Sequence, residues 1–150
     1  ICQEMGRKFK ISFSSSDSDT AYSFINDLGF IAKVVDGKRG FKVMIGGGLG
    51  ANPYLSLLAY EFLEEDQIIP FTEAVLRVFD RYGERTRRMK ARFKFLLDDL
   101  GLEKIMELVE EERKALKSKV FPIDLNVVPA PSVPVEREFP EVEIADTKKF

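Results

Sequence analysis

The chain of 150 residues contains no histidine, no tryptophan and one cysteine, Cys2. Without histidine, a histidine-based catalytic triad is excluded, and haem iron would find no imidazole ligand within the chain. A single cysteine forms no intrachain disulfide, which is typical of a reducing compartment, so we expect a cytoplasmic protein. One thiolate also cannot hold a cubane iron–sulfur cluster, and zinc sites normally use cysteine or histidine. We therefore expect no metal ligands in this chain.

Long apolar runs and a strong net charge are missing as well. No run of about eighteen apolar residues occurs, so we expect no membrane-spanning helix. The formal net charge is −2, so the chain as a whole is not built to coat a polyanion. The beginning of the chain, ICQEMGRKFK, has neither the order of a signal peptide nor an initiating methionine. We expect a piece of a longer protein.

Apolar residues are plentiful, at 45% of the chain with thirteen phenylalanines, which is enough for a single packed core. Alternation over Lys8–Phe13 predicts a half-buried strand whose apolar side chains, Phe9, Ile11 and Phe13, face the core. Asp36-Gly37 between two β-rich runs predicts a hairpin. Residues 21–26 favour a short helix, and residues 57–63 fit either a strand or a helix.

Three segments with helical spacing follow, at about 70–82, 86–100 and 102–117, and Met89 is the first residue of the apolar stripe in the second. The strands come first and the helices gather at the end, which predicts an α+β fold with a mixed or antiparallel sheet and helices on one face. From Val120 onward the chain is rich in proline and has no period. We therefore expect a domain over residues 1–118 and a proline-rich linker or arm over residues 119–150.

A glycine-rich stretch, FKVMIGGGLGA over residues 41–51, is open to three interpretations. Gly46, Gly48 and Ala51 match the G-x-G-x-x-[GA] fingerprint of dinucleotide-binding domains. That fingerprint needs a strand, the turn and a helix in a βαβ unit, whereas the run before this turn is the second arm of the predicted hairpin. The glycines could instead serve a tight turn, or admit a flat ligand against the backbone. The stretch alone does not decide.

The region Arg77–Lys94 carries eight basic residues against two acidic ones. Four aromatic residues are interleaved with them, as in surfaces that stack nucleic-acid bases: Phe79, Tyr82, Phe93 and Phe95. Three of the four, however, fall on apolar helical stripes and are expected in the core. A nucleic-acid-binding module is therefore an alternative that we do not favour.

Four blocks in order, RKFKISF, NDLGFIA, GFKVMIGGGLG and RYGERTRRMKARFKFLL, resemble the sirohaem and iron–sulfur domain of assimilatory-type nitrite and sulfite reductases. The resemblance runs from about Arg7 to Lys117 and is to the first of the family's two related sirohaem-side modules. It implies sirohaem and a [4Fe-4S] cluster in the full-length enzyme. The cluster cysteines would belong to the second module, beyond Phe150, so this fragment alone is expected to be inactive and without cofactor.

The resemblance also implies site residues. Lys8 and Lys10 would point at the distal face of the sirohaem iron, where nitrite or sulfite binds, and Arg92 would reach the same pocket. The glycines of the turn would make room for the tetrapyrrole: Gly46, Gly47 and Gly48. Electrons would come from ferredoxin or a reductase. Gly6 stands where the family often has a proline, which affects only the approach to the strand.

The residues themselves are compatible with these roles. Lys8 and Lys10 are two apart on a predicted strand, so they share a face and can converge on one small anion. Arg88 and Arg92 are four apart and share a face of the predicted second helix. In both cases a solvated polar face is the alternative.

Overall fold

The computed structural model describes residues 7–124 and 126. Four strands come first and three helices follow, which confirms the predicted α+β class. The elements are β1 (Ile11–Ser14), β2 (Leu28–Val35), β3 (Lys38–Ile45), β4 (Leu57–Glu64), α1 (Ile68–Tyr82), α2 (Phe93–Leu100) and α3 (Leu102–Ala115). Short 3-10 turns occur at Ser23–Ile25, where a helix was predicted, and at Glu65–Gln67 and Arg88–Lys90.

The four strands form one mixed sheet in the order β1-β2-β3-β4. β1 runs parallel to β2, and the other two pairs are antiparallel. The hairpin between β2 and β3 is confirmed, with Val35 paired to Lys38. Asp36 and Gly37 both have positive φ, 50° and 75°, as the tight two-residue turn that matches strand twist requires.

The core lies between the sheet and the helices. Leu28 and Phe30 of β2 and Val43 and Ile45 of β3 are fully buried in one cluster with side chains of the three helices. The fully buried phenylalanines contributed by α1 and α2 are Phe71, Phe79 and Phe93. Phe9 also packs here, with its ring centroid 5.7 Å from that of Phe79 and 5.6 Å from that of Phe93. None of the helices in the described part of the chain is long and apolar enough to cross a membrane.

The first strand is shorter than predicted. It begins at Ile11 rather than Lys8, and the expected alternation fails there because Ile11 and Phe13 are 41% and 55% exposed while Ser14 is buried. The Ser14 hydroxyl donates to Asp19 Oδ1 at 2.5 Å, which gives the buried hydroxyl a partner. β1 is an edge strand, and Phe13 lies over Phe30 at 4.9 Å.

The second helix also begins later than predicted, at Phe93 rather than near Thr86. The Glu84 carboxylate accepts hydrogen bonds from the backbone N–H groups of Thr86 and Arg87, at 2.7 and 3.1 Å. The Thr86 hydroxyl also donates to this carboxylate, and this bond first, then the two backbone bonds, hold the pKa of Glu84 well below its usual range. Such local side-chain bonds compete with a helix. As a result Met89, expected on the buried stripe, is 82% exposed.

The end of the domain is described as far as residue 124. α3 ends at Ala115, near the predicted limit of about residue 117. The backbone N–H of Phe121 donates to the carbonyl of Asp66 at 2.7 Å, so the first residues after the domain lie against it. Most of the predicted linker, residue 125 and residues 127–150, lies outside the described residues.

Candidate functional site

The segment before β1 and the approach to α2 meet at a cleft of about 420 Å³. Four of its five lining residues are cationic: Arg7, Lys8, Arg88 and Arg92, with Ala91 between the last two. Among the described residues, no carboxylate lines this cleft. A surface of one sign that is concave concentrates counter-ions, so the cleft is suited to anions.

Local structure explains how two of these cations reach the cleft. Phe9 turns into the core while Lys8 and Lys10 on either side of it are exposed, so the predicted alternation holds at these three positions. Arg92 is the N-cap of α2, with an extended backbone at φ −108° and ψ 152°. Arg88 lies in the preceding 3-10 turn, so the predicted shared helix face with Arg92 is wrong, yet both residues line the cleft.

Two of the cations that line the cleft carry charge that the domain does not neutralise. Within residues 7–124, the side chains of Lys8 and Arg88 make no hydrogen bond or ion pair. Arg7 donates to the carbonyl of Arg85 at 2.5 Å. The charge of Lys8 and Arg88 is what a bound oxyanion or carboxylate would neutralise.

Lys10 is placed differently from Lys8. Its side chain is exposed and is not among the residues that line the cleft. Its backbone contributes instead, because its N–H donates to Asp27 Oδ2 at 2.9 Å. The structure therefore brings Lys8 and Arg92 together, and Asp27 connects the backbone of Lys10 to Arg92.

Asp27 is a residue that the sequence reasoning did not single out. It is fully buried, and its Oδ2 also accepts a hydrogen bond from Arg92 Nη2 at 2.6 Å. The backbone carbonyl of Asp27 accepts the N–H of Gly46 at 2.9 Å. The sequence does contain a signal for Asp27. This acid stands directly before a buried apolar strand, inside the block NDLGFIA, and a charge buried there needs a partner.

The glycine turn is packed against the chain itself at its first two positions. Gly46 has φ 85°, and a Cβ there would overlap the Leu97 side chain. A Cβ on Gly47 would lie 2.6 Å from the carbonyl oxygen of Phe24. A Cβ on Gly48 would instead meet two cationic side chains, Lys94 Cδ at 3.1 Å and Arg92 Nη2 at 3.7 Å. The third glycine therefore faces the side of the turn on which Arg92 lies.

The turn does not lead into a helix. Gly48 and Tyr54 form an antiparallel bridge, and the chain then enters β4. The strand–turn–helix arrangement that a dinucleotide fingerprint requires is therefore not formed by residues 41–64.

Lys94 ties the loop after the turn to α2. Its side chain is buried, and Nζ donates to the carbonyls of Leu49, at 3.3 Å, and Asn52. Nζ also lies 5.2 Å from the ring centroid of Tyr54 and 5.0 Å from that of Phe95. Burial, together with the nearby charge of Arg92, lowers the pKa of Lys94. The loop is thus held by a cation that the chain itself satisfies.

The structure gives little support to a nucleic-acid-binding surface over Arg77–Lys94. Phe79 and Phe93 are fully buried and are not available to stack bases. Several of the arginines are paired with acids of the same chain: Arg77 and Arg81 with Glu112, Arg85 with Asp80, and Arg87 with Glu84.

The residues of this chain fit the two implied cofactors unequally. Among the described residues, no group of three or more histidine, cysteine, aspartate or glutamate side chains could hold a metal ion, and one cysteine cannot supply a [4Fe-4S] cluster. The cationic cleft does fit a ligand with several carboxylates, as sirohaem has, because such charges need paired cations when they are buried.

Fold and cleft together define a small α+β domain with a cleft that is lined mainly by cations. A family model described as the nitrite and sulphite reductase 4Fe-4S domain matches residues 3–117, and the chain therefore belongs to this family. It is 41% identical to the sulfite reductase [NADPH] hemoprotein beta-component of Geobacillus kaustophilus, over 69% of this chain and 19% of that protein. The corresponding protein of Nitrosomonas europaea is 37% identical, over 76% of this chain and 21% of that protein.

Solved structures of two proteins match the fold of this chain. The structure of Mycobacterium tuberculosis NirA protein matches 78% of this chain and 21% of that chain with a TM-score of 0.65 and 34% identity. A dissimilatory sulfite reductase I matches 88% of this chain and 47% of that chain with a TM-score of 0.60 but 10% identity, which speaks for the fold alone. The chain spans about a fifth of the length of the sulfite reductase relatives.

Proposed function

We propose that this chain is part of a sirohaem and [4Fe-4S] enzyme that reduces nitrite to ammonia or sulfite to sulfide, and that it supplies cationic contacts to the oxyanion and to the sirohaem carboxylates. The observation that carries the proposal is the cleft with four cationic lining residues and no lining carboxylate. Family membership supports the same chemistry. Sirohaem, when bound, supplies the electron transfer to the substrate; the protein supplies binding and electrostatics.

The proposed roles follow from the chemistry of each side chain. The planar guanidinium of Arg92 presents its donors in a rigid fork, so it can bind an oxyanion in a defined orientation. Lys8 and Lys10 carry exchangeable ammonium protons, so they can both stabilise charge that builds on the anion's oxygens and donate protons as oxygen leaves as water. Lys8 already lines the cleft; we place Lys10 there in the full-length enzyme.

The glycine turn is part of the proposed sirohaem site. Gly46 and Gly47 let the turn pack tightly on Leu97 and Phe24. Gly48 keeps the backbone free of a side chain next to Arg92. We propose that the backbone of Gly46, Gly47 and Gly48 lies against the macrocycle, which a flat ligand requires of the surface beneath it.

The remaining parts of the enzyme are proposals of the same kind. Residues 1–118 form the sirohaem-side module and residues 119–150 the arm toward the next module, which provides the cluster cysteines. Ferredoxin or a reductase subunit supplies the electrons, in a cytoplasmic setting, without nucleic acid or membrane as partners. The isolated chain is inactive and without cofactor.

The test uses the full-length enzyme that contains this chain, purified with its cofactors and supplied with an artificial electron donor. We expect sirohaem absorption bands and donor oxidation that depends on added nitrite or sulfite. A tetrapyrrole-free protein, or one that reduces neither anion, would contradict the proposal. In parallel, sulfite added to the 150-residue chain at constant low ionic strength should shift NMR resonances of the cleft residues saturably, while chloride should not.

A further inference from the structure

We infer that Asp27 is the positioning residue of this site, a buried carboxylate that holds Arg92, the lysine segment and the glycine turn in register. The inference rests on the proposed function, because it assigns a role in the anion site proposed above. Asp27 lies beneath the cleft rather than in its lining, so it acts through its neighbours.

Three separate parts of the chain meet at this one residue. Arg92 donates to Oδ2 from the N-cap of α2. The N–H of Lys10 donates to the same oxygen, and the Lys10 carbonyl in turn accepts the N–H of Leu28 at 3.1 Å. The N–H of Gly46 donates to the Asp27 carbonyl. Among the described residues, no other one is hydrogen-bonded to the lysine segment, the turn and the arginine together.

Charge explains why Arg92 needs such a partner. Its guanidinium shares the cleft with the like charges of Arg7, Lys8 and Arg88, which repel it toward solvent. The Arg92 side chain is nevertheless only 23% exposed, and within the described part of the domain it forms an ion pair with Asp27. Arg92 Nε and Asp27 Oδ1 are both buried without a hydrogen-bond partner, so no neighbouring group stands ready to replace the carboxylate.

Two accounts of Asp27 predict opposite results for the isosteric substitution Asp27→Asn. If the carboxylate merely adds negative charge near the cleft, its neutralisation strengthens anion binding. If it positions Arg92, neutralisation releases the guanidinium, and anion binding weakens despite the more positive cleft. A hydrogen bond to a charged group is lost in the second case, which corresponds to a weakening of about tenfold or more.

The experiment compares four variants of the 150-residue chain with the unmodified chain: Asp27→Asn, Arg92→Gln, the double variant, and Glu112→Gln as the matched control. Glu112 is also a buried acid paired with arginines, Arg77 and Arg81, and neither of these lines the cleft. One readout is the Arg92 Nε–H resonance, assigned by its absence from Arg92→Gln. The other is the dissociation constant for sulfite at constant ionic strength.

We expect Asp27→Asn to move the Arg92 Nε–H resonance to the position of exposed arginines and to weaken sulfite binding about tenfold, as in the double-variant and Arg92→Gln chains. Glu112→Gln should change neither readout. Unchanged or tighter sulfite binding in Asp27→Asn, or an unmoved resonance, would overturn the inference. If Asp27→Asn does not fold, the double variant is compared with Arg92→Gln, since coupled residues are not additive. Equal affinities support the inference, and a further loss in the double variant overturns it.

The two proposals fail in different ways. If the unmodified chain does not bind sulfite, the proposed anion site is wrong. The Arg92 resonance then still decides whether Asp27 positions Arg92. If the unmodified chain binds sulfite and Asp27→Asn binds it equally well, the proposed function stands and the role of Asp27 is wrong.

Discussion

Lys8 and Arg92 line the same cleft, although Lys8 precedes the first strand and Arg92 caps the second helix. Phe9, next to Lys8, and Phe93, next to Arg92, pack edge to face with centroids 5.6 Å apart. The two cations are thus held together by the core beneath them. Replacement of Lys8, which makes no ion pair within residues 7–124, should leave that core intact, whereas replacement of Arg92 would leave the buried Asp27 carboxylate without its ion pair. Lys8 can therefore be tested by a single substitution.

Lys8→Met in the full-length enzyme should slow reduction of the anion while sirohaem and cluster remain bound. A cation that acts on developing charge contributes about 2–4 kcal/mol, as one oxyanion-hole donor does, which is roughly a hundredfold in turnover or more. Lys10→Met should have a comparable effect if Lys10 turns toward the anion in the complete enzyme. Steady-state turnover is measured beside the absorption spectrum of each variant.

The control for this prediction is Lys33→Met. Lys33 is a cation of β2 that pairs with Asp17 and does not line the cleft. Its loss should leave turnover normal. Normal turnover in both Lys8→Met and Lys10→Met would mean that the lysines form only a solvated face, and the assignment of these two residues would be wrong.

The isolated 150-residue chain should purify colourless and without iron. It carries one cysteine and no histidine, so it offers too few ligands for a cluster or for axial ligation of haem iron. Absorption spectroscopy and iron analysis of the purified chain check the prediction, and a stoichiometric tetrapyrrole band would contradict it.

The free energy of unfolding should fall less at alkaline pH in Tyr60→Phe than in the unmodified chain. Burial, and then the hydrogen bond of 2.5 Å to Glu110, raise the pKa of Tyr60 to about 12. Because this folded-state pKa lies above the unfolded value of 10.0, the neutral phenol stabilises the fold fully below about pH 10, and this contribution is lost as pH rises from 10 toward 12.

The measurement is urea unfolding of both chains at several pH values across that range. We expect Tyr60→Phe to be less stable at neutral pH by about 1 kcal/mol, the typical value of one hydrogen bond, and to lose less stability between pH 10 and 12. Parallel curves for the two chains would show that the phenol is not held in its neutral form by the fold.

Local chemistry made part of this fold predictable from sequence. Asp36-Gly37 specifies its own turn, since both residues tolerate the positive φ that the hairpin needs. The start of α2 was not predictable in this way. Apolar spacing continued back to Met89, but the carboxylate of Glu84 captures the backbone N–H groups that a helix from Thr86 would begin with.

The candidate site was predictable only in part, from sequence blocks rather than from local chemistry. Lys8, Lys10 and Arg92 stand in blocks that resemble a known family, and the structure brings Lys8 and Arg92 together. The pairing of Asp27 with Arg92 joins residues 65 positions apart in the sequence, and no periodicity encodes such a tertiary contact. The same holds for Arg88, which was predicted on a helix face and reaches the cleft from a 3-10 turn.

Gly47 and Gly48 should respond differently to alanine, although they are neighbours in one turn. A Cβ on Gly47 would meet the backbone carbonyls of Phe24 and Asn26 at 2.6 and 2.8 Å, and backbone cannot move aside cheaply. Gly47→Ala should therefore destabilise the chain by about 1–3 kcal/mol, as overpacking does. A Cβ on Gly48 would meet the flexible stem of Lys94 at 3.1 Å, so the isolated chain should tolerate Gly48→Ala with a smaller loss.

In the full-length enzyme we expect the opposite ranking when sirohaem content per folded molecule is measured, with the larger effect in Gly48→Ala. The new methyl group of Gly48→Ala would stand beside Arg92, at 3.7 Å from Nη2, on the surface that we propose lies against the macrocycle. Gly48→Ala should therefore lower the sirohaem content of the folded enzyme, whereas the Gly47→Ala protein that does fold should bind sirohaem normally. Unfolding of the isolated chains and the ratio of sirohaem absorption to folded protein give both quantities. Normal sirohaem content in Gly48→Ala would place the macrocycle elsewhere and leave the turn a purely structural role.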